Sequence, residues 1–279
     1  EHVDRVLVRV QASSVNPFDV YYRSGFLPVR ADNGWLKPKN PVLGIDVAGT
    51  VEAVGPGVTR FKVGDLVFGN CFGSHAEVVR VREKGLALLP RNLTVREAAA
   101  LPTVALTALQ GLRDQGGVGP GQSVLVNGAA GGIGHCAVQI AAALGAEVTA
   151  VCSTGNVAWV EALGPARVID YTREDFVRRP ERYDVVFDAV GKRTYYASRS
   201  VLKPGGRVIL ENPLKVWPNL WQVGLAMLTG DRRVKMHLTE ANVEDMDWLR
   251  AAVDAGKLKP VIERTYPLGD AAGAHRHVE

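Results

Sequence analysis

A glycine-rich turn, residues 128–134 (GAAGGIG), has the spacing most suggestive of chemistry. An apolar run, Ser123–Asn127, precedes it and predicts a buried strand, while apolar residues at helical spacing follow it as far as Gly145. N–H groups at the start of such a helix can bind phosphate if no side chain blocks the approach. Gly131 leaves that space open, and Gly134 lets the helix pack closely against the strand.

The turn departs from the usual G-x-G-x-x-G in one respect, because Ala129 stands where the first glycine is expected. A glycine-rich turn alone is weak evidence, but the order strand, turn and helix predicts a dinucleotide site. The residues expected to line the pyrophosphate are consecutive: Ala130, Gly131, Gly132, Ile133 and Gly134.

The composition limits the classes of protein to which the chain could belong. The chain has 279 residues, of which 47% are hydrophobic, enough for one large or two medium domains. No apolar run approaches the roughly 20 residues that span a bilayer, so no membrane partner is expected. Cys71, Cys136 and Cys152 are scattered and form neither a disulfide framework nor a Cys-x-x-Cys pair. Together with a start that lacks a signal-peptide pattern, they favour a reducing, cytoplasmic location.

The net charge of +4 could indicate a nucleic-acid surface. The basic residues are spread along the chain, however, and the one cluster, residues 173–182, also contains Glu174, Asp175 and Glu181. This mixture is typical of a solvated face. A nucleic-acid partner is therefore not expected.

Two patterns divide the chain. Short strands with frequent turn signals predict a small antiparallel barrel or sandwich up to about residue 92, with strands at 5–10, 47–54, 66–69 and 76–81. From residue 95, a helix at 96–113 is followed by strands at 123–127, 147–152, 167–170, 184–188 and 206–210. Helices are predicted between them at 134–144, 156–163, 173–179 and 193–202. This alternation predicts a doubly wound parallel sheet. Further elements are a strand at 234–237, a helix at 240–255, a strand at 261–266 and a helix from 271.

Three stretches carry a resemblance to a known family. They are residues 14–19 (SVNPFD), residues 41–49 (PVLGIDVAG) with 63–65 (VGD), and residues 121–139 around the glycine-rich turn. In this order they resemble the zinc-independent, zeta-crystallin-like quinone oxidoreductase branch of the medium-chain dehydrogenase/reductase superfamily. The resemblance implies a Rossmann-type doubly wound domain at 96–250 and a β-rich GroES-like catalytic domain formed by 1–95 and 251–279. It also implies a homodimer, and a chain that looks trimmed at both ends.

Metal binding is not expected. Zinc-dependent relatives carry Gly-His-Glu where this chain has Gly44-Ile45-Asp46, and Ile45 cannot bind a metal ion. The closely spaced four-cysteine lobe of those relatives is also missing from the sequence. We therefore predict catalysis without zinc.

The expected cofactor is NADPH, with NADH as the weaker alternative. NAD-specific sites of this type place a carboxylate at the end of the second strand, and residues 152–156 (CSTGN) contain none. The hydroxyls of Ser153 and Thr154 could bind a 2′-phosphate, and Tyr171 matches a family position that often contacts it. Direct support is thin, because no Lys or Arg lies between Arg113 and Arg167.

The resemblance also assigns residues near the reacting atoms. Asn16 and Tyr21 map to the catalytic cleft, where Asn16 could bind the cofactor or a substrate carbonyl and Tyr21 could donate a proton. Each has a plainer alternative, a turn residue before Pro17 and a packed aromatic. The remaining cofactor contacts lie on the first long helix and after later strands: Thr107, Val190, Gly191 and Asn212.

The function expected from these residues is hydride transfer from NADPH to a quinone or enone as the small-molecule substrate. One alternative is reduction of an enoyl thioester, and another is a low-turnover cofactor-binding protein that regulates or binds RNA. Two stretches expected to be irregular, residues 26–39 and 217–230, would set specificity. Within the second, residues 217–228 could be a core or subunit contact, or a mobile lid.

Overall fold

The computed structural model describes residues 3–25, 34, 39–211 and 217–279, with the side chains of 217–220 left aside. In chain order the elements are β1 (Arg5–Ala12), α1 (Pro17–Ser24), β2 (Asp46–Val54), β3 (Leu66–Asn70), β4 (Val78–Arg82), β5 (Leu86–Leu88), α2 (Val95–Ala99), α3 (Pro102–Leu109), a π-helix (Gln110–Gln115), β6 (Ser123–Asn127), α4 (Gly132–Ala143), β7 (Glu147–Cys152), α5 (Val157–Glu161), β8 (Arg167–Asp170), β9 (Tyr183–Asp188), α6 (Tyr195–Arg199), β10 (Leu202–Leu210), α7 (Trp217–Leu228), β11 (Val234–Lys235), α8 (Val243–Asp254) and α9 (Ala271–Val278).

The chain divides into two units. The first comprises Glu1–Leu106, Glu240–Ala255 and Pro260–Glu279, and the second comprises Thr107–Thr239 and Gly256–Lys259. These divisions differ from the predicted boundaries at 95/96 and 250/251. Helices α2 and α8 belong to the first unit because they contact β2 and β5 of its sheet. Next to β5, Arg91 N–H also donates to the Asp254 carboxylate at the end of α8, at 2.8 Å.

The first unit is built on an antiparallel sheet with the strand order β4-β1-β2-β3-β5. Alternation in β1 buries Val6 and Val8 completely while Arg9 and Gln11 point to solvent. The valines pack into one core with apolar residues of the other strands, among them Val47, Val67, Val81 and Leu86.

The second unit contains a six-stranded parallel sheet with the order β11-β10-β9-β6-β7-β8. The chain runs from β6 outward through β7 and β8, then returns to the other side of β6 with β9. The switch point between β6 and β9 is where such sheets bind nucleotides, at the carboxyl ends of the strands. The predicted fold class, a doubly wound parallel sheet with a separate β-rich domain, is confirmed.

The helix predicted at 96–113 is divided between α2, α3 and the π-helix. Three further predictions differ from the structure in kind. The helix at 173–179 is only a 3-10 turn, Phe176–Arg178, because the carboxylates of Asp170 and Asp175 bind nearby backbone N–H groups and compete with helix formation. The predicted strand at 261–266 does not form, and Val261 and Ile262 lie 47% and 37% exposed.

The third difference is α7, which occupies a stretch that we expected to be irregular. Its proline is the second residue of the helix, a position where the missing N–H costs nothing. Val223 and Ala226 of α7 pack into the core of the second unit, whereas Trp221 is 58% exposed. The other expected irregular stretch, 26–39, lies largely outside the described residues.

Within the described part of the chain, no helix combines the length and the apolar character needed to cross a membrane.

Candidate active site

The glycine-rich turn after β6 folds tightly onto itself. Gly128 adopts a left-handed φ of 86°, and Gly131 N–H donates to Gly128 O at 2.9 Å. A Cβ added at Gly134 would lie 2.0 Å from Gly128 O, so only glycine fits where α4 meets the turn. Ala129, in place of the usual first glycine, is fully buried. The turn therefore has the packing that the dinucleotide motif requires.

Helix α4 begins directly after Gly131 and runs for twelve residues. Its first N–H groups have no acceptor within the helix. A Cβ at Gly131 would have only Gly128 O nearby, at 3.4 Å, so the space in front of the helix is open. Ala130, Gly132 and Ile133 share this turn and first helical segment. The structure thus brings all five predicted pyrophosphate residues to one helix N-terminus, where the helix dipole favours phosphate.

A buried carboxylate braces the neighbouring turn. Asp188, the last residue of β9, accepts hydrogen bonds on Oδ1 from Val190 N–H and Gly191 N–H, both at 3.0 Å, and from Asn127 Nδ2 at 2.9 Å. Val190 in turn contacts the glycine-rich turn, since a Cβ on Gly128 would lie 2.3 Å from its Cγ2. The predicted residues Val190 and Gly191 therefore lie beside the pyrophosphate cradle at the switch point.

The predicted 2′-phosphate residues lie after β7 and β8. Thr154 Oγ1 donates to Asp170 Oδ2 at 2.6 Å, and Asn156 Nδ2 donates to Ser153 Oγ at 2.9 Å. Tyr171 follows Asp170 and is 58% exposed. The hydrogen bond from Thr154 holds the pKa of Asp170 below its usual value, so Asp170 is ionised. The segment after β7 lacks a carboxylate, but the structure brings one there from β8.

A cation accompanies that carboxylate. Arg173 Nε lies 3.4 Å from Asp170 Oδ2, and its side chain is 75% exposed. The sequence placed no basic residue near the end of β7, because Arg173 is 21 positions further along than Cys152. Parallel strands β7 and β8 are neighbours, so their carboxyl ends meet.

Thr107 lies on α3 and is buried, with its hydroxyl 2.9 Å from the hydroxyl of Thr239. One turn later the π-helix places Gly111 against Glu211 and His237, which follow β10 and β11. These polar residues form a group at the carboxyl ends of the last two strands. The predicted residue Asn212 lies outside the described part of the chain.

In the first unit, Asn16 begins helix α1 and is 6% exposed. Its Nδ2 donates to Ser14 Oγ and to Asp46 Oδ2, both at 2.9 Å. A substrate carbonyl would have to compete for one of these two hydrogens. The geometry therefore favours a bond from a ligand hydroxyl to Asn16 Oδ1 over a bond from Asn16 to a carbonyl.

Asp46 is the centre of this network. Besides Asn16 it binds the hydroxyl of Ser14, and its Oδ1 accepts from the N–H and the hydroxyl of Thr103 at 2.8 and 2.7 Å. These donors satisfy a carboxylate that is 1% exposed. The contacts give Asp46 a structural role, and they fix the orientation of Asn16.

Tyr21 lies within helix α1, whereas Asn16 is the N-cap of that helix and has an extended backbone, with φ −112° and ψ 155°. The Tyr21 side chain is half-buried. The structure thus places one predicted catalytic residue at the start of a short helix and the other within it. Among the described residues, no group of three or more His, Cys, Asp or Glu side chains is arranged to hold a metal ion.

Sequence reasoning missed Asp188, Asp170, Arg173 and His237. One local signal was available for two of them, because Asp188 and Asp170 each stand at the end of a strand of the parallel sheet. A polar residue at that position lies at the ligand-binding edge of a parallel sheet. Arg173 and His237 reach the site only through the pairing of strands.

Comparisons with known proteins agree with this geometry. Residues 2–91 match the alcohol dehydrogenase GroES-like domain, and residues 163–279 match the family described as zinc-binding dehydrogenase. The chain is 36% identical to 2-methylene-furan-3-one reductase of Solanum lycopersicum over 276 residues, which cover 95% of this chain and 65% of that protein. The chain thus spans just under two thirds of that relative's length.

Two further relatives are covered more fully. The chloroplastic NADPH-dependent alkenal/one oxidoreductase of Arabidopsis thaliana is 34% identical, with 99% of this chain and 69% of that protein covered. The solved structure of the quinone oxidoreductase from Coxiella burnetii has a TM-score of 0.83 at 31% identity, covering 99% of this chain and 87% of that one. The chain therefore belongs to the quinone oxidoreductase branch of the medium-chain dehydrogenase/reductase superfamily.

Proposed function

We propose that this chain is an NADPH-dependent, zinc-independent reductase that transfers a hydride to a quinone or an α,β-unsaturated carbonyl compound. The observation that carries the proposal is the cradle at the start of α4, where Gly134 and Gly128 bring the helix N-terminus against the turn braced by Asp188. A nicotinamide cofactor bound there supplies the hydride. The family relatives named for quinone, alkenal and furanone reduction support the same reaction class.

The chain's own residues would bind the cofactor and orient the substrate. Residues Ala130–Gly134 would hold the pyrophosphate through backbone N–H groups. Asn16, fixed by Asp46, would accept a hydrogen bond from a hydroxyl of cofactor or substrate. Tyr21 would donate a proton to the oxygen of the reduced substrate, or orient it. No metal ligand set contributes, since Ile45 stands at the position of a zinc-binding histidine.

The preference for NADPH rests on Arg173 together with Thr154 and Tyr171. Arg173 is the one cation that ion-pairs with Asp170 among the described residues, and its exposure leaves it able to reach a phosphate. Asp170 disfavours NADPH, because an ionised carboxylate repels the 2′-phosphate. We infer that Arg173 exchanges its partner and binds the phosphate when NADPH is present.

A titration of intrinsic tryptophan fluorescence with NADPH and NADH, followed by turnover, tests the function. We expect NADPH to bind more tightly and to be oxidised when a quinone or an enone is added. An enoyl thioester serves as the third substrate and tests the alternative reductase. Tyr21→Phe should lower kcat if Tyr21 donates the proton, whereas Tyr196→Phe, an exposed tyrosine on α6, should not. Tight NADPH binding without oxidation by any acceptor would support the low-turnover regulatory alternative instead.

Cofactor preference gives a sharper test. Arg173→Ala should weaken NADPH binding about tenfold or more, since a charge-assisted hydrogen bond contributes about 1.5–3 kcal/mol, and should leave NADH binding unchanged. Asp170→Asn should strengthen NADPH binding by removing the repulsive charge. Arg178→Ala is the matched control, because Arg178 is also exposed and lies nearby. An equal loss of NADH and NADPH affinity in Arg173→Ala would refute the assignment.

Homodimerisation, a cytoplasmic location and the lack of nucleic-acid partners stay predictions. Size-exclusion chromatography with light scattering would determine the oligomeric state.

A further inference from the structure

Glu211 and His237 form a buried pair of ionisable side chains at the carboxyl ends of β10 and β11. Their side chains are 3% and 7% exposed, and Glu211 Oε1 lies 3.6 Å from His237 Nδ1, beyond hydrogen-bond length. Glu211 Oε1 and both ring nitrogens of His237 have no hydrogen-bond partner in the described structure. Native proteins rarely leave three such atoms unsatisfied in one place, so the pair calls for a functional explanation.

The pair is enclosed by the π-helix. A Cβ on Gly111 would lie 2.5 Å from Glu211 Oε1, 2.8 Å from Phe187 Cε2 and 3.3 Å from His237 Cε1. Glycine therefore lets the helix press directly on the carboxyl group and exclude water from it. A π-helical turn is rare and is frequent at functional sites. Thr107, one turn earlier, bonds Thr239 two residues beyond His237.

The position of the pair within the sheet relates it to the cofactor. In a doubly wound domain the dinucleotide crosses the switch point, with its adenosine half over one set of strands and its other half over the opposite set. Here the adenosine side is β7 and β8, so the nicotinamide side is β9, β10 and β11. Glu211 N–H donates to Asp188 O at 3.1 Å, which ties it to the strand whose end braces Val190 and Gly191.

Burial sets the protonation of both groups. It raises the pKa of Glu211 to about 8 and lowers the pKa of His237, with Asp114 acting in the opposite direction on His237. The other charged groups on the neighbouring elements are Arg113, which is ion-paired with Asp114 on the π-helix, Asp184 and Asp188 on β9, Lys203 and Arg207 on β10, and Lys235 on β11. At neutral pH the pair is therefore uncharged, with the proton on the Glu211 carboxyl group.

We propose that Glu211 couples proton release to the redox state of the bound nicotinamide, staying a neutral carboxyl beside the reduced ring and becoming a carboxylate beside the oxidised, positively charged ring. The inference rests on the proposed function, since it requires a nicotinamide cofactor at this edge. A nearby positive charge favours ionisation of a carboxyl group. The N–H of neutral His237 can then donate to the carboxylate that forms. Binding of oxidised cofactor would thus release one proton from Glu211, and binding of reduced cofactor would release none.

The test measures Kd for NADP⁺ and for NADPH from pH 6 to 9. Both ligands carry the same 2′-phosphate, so its own titration cancels in the ratio of the two constants. We expect the ratio of Kd for NADP⁺ to Kd for NADPH to fall by up to tenfold per pH unit and to level off above about pH 8. Glu211→Gln should make the ratio independent of pH, and His237→Leu should move the bend to higher pH. Glu244→Gln, an exposed carboxylate on α8, should behave as the unmodified chain.

Calorimetry on the unmodified chain, in buffers of different ionisation enthalpy, counts the released proton directly and does not depend on a variant folding. At pH 7, release of about one more proton with NADP⁺ than with NADPH supports the proposal, because any proton change at the shared 2′-phosphate cancels in the difference. A ratio that stays constant with pH while both ligands bind would overturn it and leave the reductase assignment standing. The same pH dependence in Glu211→Gln would also overturn it. Failure to bind any nicotinamide dinucleotide would refute the proposed function itself, and this inference with it.

Discussion

Replacing Gly134 by alanine is expected to destabilise the second unit and to abolish dinucleotide binding. The new Cβ would lie 2.0 Å from Gly128 O and 2.9 Å from Ala129 Cα, and both obstacles are backbone atoms. Overpacking costs about 1–3 kcal/mol where side chains can adjust, and more where they cannot. To make room, α4 must move away from β6, and its N–H groups then leave the phosphate position. Thermal unfolding and a fluorescence titration with NADPH would measure the two effects.

Alanine variants at two other glycines distinguish an effect on folding from an effect on cofactor binding. A Cβ on Gly131 meets only Gly128 O, at 3.4 Å, so Gly131→Ala should fold normally and yet bind NADPH more weakly, because the methyl group occupies the phosphate approach. A Cβ on Gly155 meets no heavy atom within 4 Å, so Gly155→Ala should leave stability unchanged. If Gly134→Ala were as stable as the unmodified chain and bound NADPH normally, the close packing of α4 on the turn would not matter.

The strands that carry the site were predictable because each is a short apolar run ended by turn residues. Buried parallel strands need apolar residues on both faces, and β6, β7 and β8 start and end where the sequence predicts. The glycine-rich turn was predictable for a similar reason, since all of its determinants lie within a few consecutive residues. Local patterns of this kind determine local geometry.

The secondary structure that was predicted wrongly depends on contacts with residues elsewhere in the chain. Residues 261–266 have the composition of a strand, but a strand forms only where another can pair with it. Helix α7 was missed because its early proline suggested a break. Its helical state is supported instead by Val223 and Ala226 packing into a core contributed by β9, β10 and α6.

The electrostatics of the site could not be predicted from the sequence either. Thr154, Asp170 and Arg173 meet because β7 and β8 are adjacent, and no spacing rule gives that pairing in advance. For the same reason the sequence indicated that no charge lies near the 2′-phosphate position, whereas the structure places both a carboxylate and a guanidinium there. If the cofactor binds as proposed, we therefore expect its specificity at that end of the site to depend on a balance between these two opposite charges.

Glu211 is expected to make the stability of the unliganded chain depend on pH. Its folded-state pKa of about 8 lies above its usual value of 4.5, so the folded state favours the protonated form. The associated stability is fully present below about pH 4.5 and is lost as the pH rises through 8. The shift of between three and four pH units corresponds to about 5 kcal/mol at 1.36 kcal/mol per unit, the full loss being reached above pH 8.

Urea unfolding of the unmodified chain and of Glu211→Gln at pH 5, 7 and 9 would measure this loss. The two free energies of unfolding should differ little at pH 5, and the variant should become the more stable by several kcal/mol at pH 9, because glutamine cannot ionise. Other titrating groups, including the buried Asp46, are present in both proteins and cancel in the difference. Glu244→Gln, at an exposed position, should keep a constant difference across this range. A constant difference for Glu211→Gln as well would mean that water reaches the carboxylate, and the enclosure by Gly111 and the π-helix would then not control its ionisation.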